Sequence, residues 1–233
     1  MRELPPPLPP ERRTVGQLVA ETIRAYGSGF WLLLPLGVPL AIADQLSVRQ
    51  SLGVQMLVFW ALLPLFVAGY LYACHRVLRA PVTLVAAAVA TLIWLPFPAL
   101  RAVYVLPSLA WLALIGLAVP AAMVERLRFR AALIRGRELG TADFVHALGS
   151  LAALVVVVGI AANTLSALLH TQGDSGQRAA VFLSDLVLSP LLFVGGALLY
   201  VDQAARAVRS ADASLHPPLD ADAAGRADPQ VES

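Results

Sequence analysis

The chain has 233 residues, 58% of them hydrophobic and only 14% charged, with a mean hydropathy of +0.73. Ordinary soluble domains carry charge on roughly a quarter of their residues, so this composition excludes them and points to the bilayer as solvent. The net charge is only +2 at a pI near 9.0, with no basic face on a soluble fold, which sets nucleic acid aside as a partner.

All seventeen basic residues are Arg, and Ala is abundant, a composition that fits a GC-rich bacterial genome. The single cysteine, Cys74, has no intrachain partner and sits in an apolar run, so it carries no information about redox compartment.

The chain opens on MRELPPPLPPERRT. The prolines predict an extended, disordered tether over residues 1–13, without the basic start, short apolar core and small-residue site of a cleaved signal peptide. In the TVGQLVAETIRAYG that follows, Thr14 and Gln17 have capping-box spacing, and Val15, Leu18, Val19, Ile23 and Tyr26 share one side of a helix that Gly27 is placed to end. This helix is expected to lie in the cytoplasmic interface of the membrane.

Crossing ~30 Å of hydrocarbon takes about 20 mostly apolar residues. Six segments qualify: 29–47, 54–77, 82–99, 102–124, 149–169 and 180–201. Only Arg101 interrupts 82–124, but one helix of that length would be about twice too long, so the stretch is expected to be a hairpin broken at Pro96 and Pro98. When the loops are placed on alternate sides, only Arg49, Arg101 and Arg178 of the seventeen arginines fall on one side. The other side is then cytoplasmic, with both termini on it. Pro35, Pro39, Pro64, Pro107, Pro120 and Pro190 are expected to kink spans, and Gly195 and Gly196 to allow close helix packing.

Between spans four and five stands VERLRFRAALIRGRELG, with Arg126, Arg128, Arg130, Arg135 and Arg137. A second interfacial helix is expected from about 125 to 135, weakened at Gly136 and Gly140, with Thr141 capping the next helix and Asp143 in its first turn. At ~100° per residue Arg126, Arg130 and Arg137 fall together and Arg128 and Arg135 opposite. Leu127, Ala131 and Ile134 form one apolar stripe between them, Phe129 and Leu133 another. The segment thus reads as a wedge between bundle and lipid, its guanidinium groups snorkelling to water and engaging lipid phosphate.

Three stretches resemble a known family: TVGQLVAETIRAYGSGF, with Thr14, Val15, Gly16, Arg24, Tyr26 and Phe30; PAAMVERLRFRAALIRGRELGTADF, with Glu125, Ala132, Leu133, Arg135 and Leu139; and PLLFVGGALLYVDQAAR, with Pro190, Tyr200 and Asp202. They are similar to the bacterial membrane domain that precedes some glycerophosphoryl diester phosphodiesterases, and to its stand-alone relatives. The resemblance covers Thr14 to about Arg209, and it departs from the pattern at Gly29, Gly136 and Ala204. It implies an all-helical membrane module without a catalytic domain.

Motifs for chemistry are missing. His75-Arg76-Val77 is the nearest approach to the His-Arg-Gly start of such phosphodiesterases and lacks the glycine. His146, His170 and His216 lie in separate regions, and no phosphate loop or nucleophile elbow occurs, so neither metal nor cofactor is expected. Asp44 and Asp185 are the carboxylates within apolar runs, near the outer ends of their spans. Pairing there with Arg49, Arg101 or Arg178 is weighed against an ion or proton route. Asp202 and Arg206, at i,i+4 spacing, are expected to anchor the inner end of span six.

The sequence therefore predicts an all-α, six-span domain over residues 14–209 with two interfacial helices, in the bacterial cytoplasmic membrane. Residues 210–233, rich in Pro, Ala and Asp, are expected to form a disordered acidic tail. The expected function is a non-enzymatic scaffold engaging membrane phospholipids or a membrane protein partner. A small transporter or lipid-handling protein with a cavity between kinked spans is the alternative.

Overall fold

The structure, a computed structural model, describes residues 9–169 and 173–215. Among them there is no strand. A short 3-10 turn at Pro10–Arg12 leads into α1 (Val15–Ser28), α2 (Phe30–Leu33) and α3 (Val38–Ser47). Next come α4 (Leu52–Ala61), α5 (Leu63–Leu78), α6 (Leu84–Trp94), α7 (Phe97–Val103), α8 (Val105–Ile115) and α9 (Ala118–Val124). The chain closes with α10 (Phe129–Ala142), α11 (Phe144–Leu169), α12 (Gly173–Leu188) and α13 (Pro190–Leu215).

These are the helices of a multi-pass membrane protein. Phe30–Ser47, Val105–Val124, Phe144–Leu168 and Ser175–Ser210 are each long and apolar enough to cross a bilayer, and α4 with α5 makes a fifth if that pair, bent by 51°, is one span. Proline explains the breaks. Pro64 follows the bend, Pro35 lies in the 3-10 turn Leu34–Gly37 and Pro39 in the first turn of α3 after it, and Pro190 starts a new helix after Ser189. The expected hairpin in 82–124 is present, turning after Trp94 and again at the extended Tyr104. Its first arm is short: α6 has 11 residues, about 16 Å at 1.5 Å each, against ~30 Å of hydrocarbon.

The capping box of α1 forms as expected, with Thr14 Oγ1 accepting from Gln17 N and Gln17 Oε1 from Thr14 N. Its buried face is Leu18, Thr22 and Tyr26, whereas Ile23 is exposed. Thr22 tolerates full burial because its hydroxyl donates to the Leu18 carbonyl. The helix runs on past Gly27 to Ser28. It lies antiparallel to α13, with Arg13 against Asp202 and Thr22 facing Gly195.

At the centre Trp94 packs against Phe66, Phe97 and Phe193, with ring centroids 4.8–5.9 Å apart. A second cluster gathers Leu18, Leu109, Leu117, Leu139 and Leu199. The segment after span four departs from expectation. Glu125 ends α9, Arg126 turns left-handed (φ 51°), and α10 begins only at Phe129 and continues through both glycines to Ala142. Its buried stripe is Ala132, Gly136, Leu139 and Gly140, while Ala131 and Ile134 are exposed. A Cβ on Gly136 would strike Ala118, and one on Gly140 the carbonyls of Ala113 and Leu114. The glycines are therefore contact points where α10 folds back antiparallel on α8 and α9, and not weak spots in the helix.

The ends also differ from the expected tails. Arg13 is tied to Asp202 and α13 continues to Leu215; residues 1–8 and 216–233, with His216, lie outside the described residues, as does His170.

Candidate functional site: the polar face beside α10

Asp143 organises one cluster. It caps α11, its Oδ1 accepting from His146 N at 3.0 Å, so the predicted Thr141 cap is corrected: the Thr141 hydroxyl instead donates back to Arg137 and Glu138 carbonyls of its own helix. The other oxygen of Asp143 takes Arg206 Nη1 at 2.8 Å, and its carbonyl takes Gln203 Nε2 at 3.0 Å. Arg206 Nη2 also donates to the Arg13 carbonyl at 2.6 Å, and Arg13 Nη1 donates to Asp202 Oδ1 at 3.0 Å. His146 Nε2 lies 3.8 Å from the second oxygen of Asp202.

Asp202 is fully buried, a position a carboxylate occupies only when paired. The cluster does pair its charges, two arginines against two aspartates, across the start of α1, the start of α11 and the middle of α13. Asp202 and Arg206 thus fasten the middle of α13 and not a helix end, each through a partner on another segment and not through each other. Arg13, Asp143 and His146 were missed as members. No local spacing joins Arg13 to Asp202, and the only signal was that Asp143, like Thr141, is a capping residue.

Glu125 organises the second cluster. Arg135 Nε lies 3.2 Å from both of its oxygens, the Tyr200 hydroxyl donates to it at 3.0 Å, and Arg135 Nη1 reaches Glu138 at 3.3 Å. Burial works against the Arg135 charge, but the bonds and charges of Glu125 and Glu138 outweigh it and raise its pKa above the usual guanidinium range.

The five arginines therefore divide. Arg135 is held by carboxylates, whereas Arg126, Arg128, Arg130 and Arg137 are exposed and form no ion pair among the described residues. Arg126 and Arg128 precede the helix, so the expected helical grouping of Arg126 with Arg130 and Arg137 does not arise.

Asp44 and Asp185 lie on α3 and α12, which pack antiparallel. Gly37 meets the Leu186 backbone, and Gln45 donates to the Arg178 carbonyl at 3.0 Å. Asp185 is buried, Asp44 half-buried, and both are engaged in interactions, as is Arg49. The Arg101 side chain lies outside the described residues. His75 is exposed, with Nδ1 at 2.8 Å from the Ala80 carbonyl. The described residues hold no group of three or more His, Cys, Asp or Glu placed for a metal ion.

No protein-family model, curated protein or solved structure matches the chain.

Proposed function

We propose that the chain is a non-enzymatic scaffold with six spans in the bacterial cytoplasmic membrane, both termini inside, which engages anionic phospholipid through Arg126, Arg128, Arg130 and Arg137. In this reading the short arm 82–99 is the third span, α1 and α10 sit toward the cytoplasmic interface, and the chain is a stand-alone relative of the phosphodiesterase membrane domain. One observation carries the lipid reading. Every carboxylate of the two clusters beside α10 is bonded to an arginine of the fold, yet four arginines in or just before α10 are left exposed with no acidic partner among the described residues. A basic residue near an anionic leaflet gains about 1 kcal/mol, so four supply several, and Arg suits phosphate because it donates two parallel bonds.

The test is to replace Arg126, Arg130 and Arg137 together with Gln and measure by native mass spectrometry the anionic lipid retained after gentle extraction. Retention should fall several-fold, with zwitterionic lipid unaffected. Unchanged retention would leave these arginines with orientation as their whole role. In the same reading the purified chain shows no glycerophosphodiester hydrolysis with or without divalent metal; turnover abolished by Asp44→Asn or Asp185→Asn would overturn the non-enzymatic assignment.

A further inference from the structure

A cavity of about 270 Å³ lies among α5, α6, α8, α11 and α13. An apolar void of about 150 Å³ already stays dry and accepts benzene, and this one is nearly twice that size. Its shape is long: along α8 and the turn after it, the walls run from Val105 to Leu117, about 18 Å at 1.5 Å per residue. Val105 is 51% exposed and Leu112 and Leu192 half-buried, so the cavity meets the surface along this edge.

No charged residue lines it. Its three hydroxyls are committed to backbone carbonyls: Tyr70 to Gly116 at 3.2 Å, Ser108 to Tyr104 at 3.3 Å and Ser189 to Asp185 at 2.6 Å. The one uncommitted donor among the lining residues is the buried Trp94 Nε1, so a polar occupant would find one bond at most and leave its other groups unpaired, and water needs two to four polar partners. A hydrocarbon chain requires nothing of these walls and restores the dispersion contacts that a void forfeits. The bilayer supplies such chains along the open edge.

We propose that the cavity is a binding site for one acyl chain of a bilayer phospholipid. It goes beyond the scaffold reading and does not depend on the arginines. The experiment uses the full chain in vesicles of phosphatidylethanolamine and phosphatidylglycerol doped with a phospholipid that carries a photoactivatable diazirine in its acyl chain. Cross-links should concentrate on the cavity residues Leu109, Leu112 and Phe193, and Leu112→Trp, which fills the space, should reduce them at least five-fold. Labelling of exposed Leu57 on α4 should stay unchanged as the measure of bulk lipid contact. Ser108→Ala, which removes a hydroxyl without filling the space, should keep the cavity labelling, as should the triple arginine variant. Cavity labelling below that of Leu57, or labelling indifferent to Leu112→Trp, overturns the site; so does its loss to excess isoprenoid alcohol but not to excess phospholipid. Should Leu112→Trp fail to fold, stoichiometry in the triple arginine variant decides: one phospholipid per chain surviving delipidation supports the site, and none overturns it.

Discussion

Among the described residues three other than glycine have positive φ, and all three are arginines: Arg49, Arg79 and Arg126. A left-handed conformation costs an L-residue about 1–2 kcal/mol that glycine avoids, so these turns hold arginine at the expense of stability. Charge at the boundary is the property that glycine would lack. Arg126→Gly should therefore stabilise the fold by about 0.5–1 kcal/mol, after the extra freedom glycine gives the unfolded chain, while Arg126→Ala gives no gain. Thermal unfolding in detergent checks both. Asp202 is the opposite case, a charge whose role is structural. Asp202→Asn keeps its shape but leaves Arg13 without its anion, and breaking a buried pair costs about 3 kcal/mol or more. Arg13→Gln should cost a similar amount and the double variant little beyond either single one, the non-additivity expected of partners in one network.

At the scale of elements, sequence reading succeeded where signals are local. The capping box of α1, the hairpin in 82–124 and the proline breaks each depend on residues within a few positions of one another. It failed at α10, where Gly136 and Gly140 were judged by helix propensity while their role is set by Ala118, Ala113 and Leu114, more than 15 residues upstream. Propensity is a weak prior against packing of that kind. Gly140→Ala is expected to cost about 1–3 kcal/mol by overpacking, whereas Gly53→Ala on α4, where nothing lies within 4 Å of the added carbon, should gain up to about 1 kcal/mol from helix propensity. Chemical unfolding of the two variants side by side would separate contact from propensity. The clusters beside α10 were legible only in part for the same reason: Glu125 and Arg135 share a segment, but Tyr200 joins them from across the chain.

For the whole molecule, the arginine distribution and the helices supply independent constraints on topology. Four helices are long and apolar enough to cross, and a bent pair makes a fifth if it is one span, while termini on the same side require an even number of crossings. The short α6 arm is the element on which the count turns. Reporters placed after Ser47, Leu100 and Gly173 should be active only outside, and those after Arg79, Arg128 and Arg209 only inside. Arg128 is chosen because it precedes α10, so a fusion there leaves the glycine contacts intact. An outside signal after Arg128 would remove one crossing and move the exposed arginines away from the cytoplasmic leaflet.

The clasp between Arg13 and Asp202 also sets an order in time. Translation makes roughly 5–20 residues per second, so 189 positions separate the two partners by roughly 10–40 s. Throughout that interval α1 has emerged but α13, against which it packs lengthwise, has not, and the Arg13 charge and Thr22, which faces Gly195, stay uncovered. A ribosome that stops before residue 190 releases a chain whose first helix can meet α11 but not α13, the kind of half-covered surface that proteolytic quality control recognises.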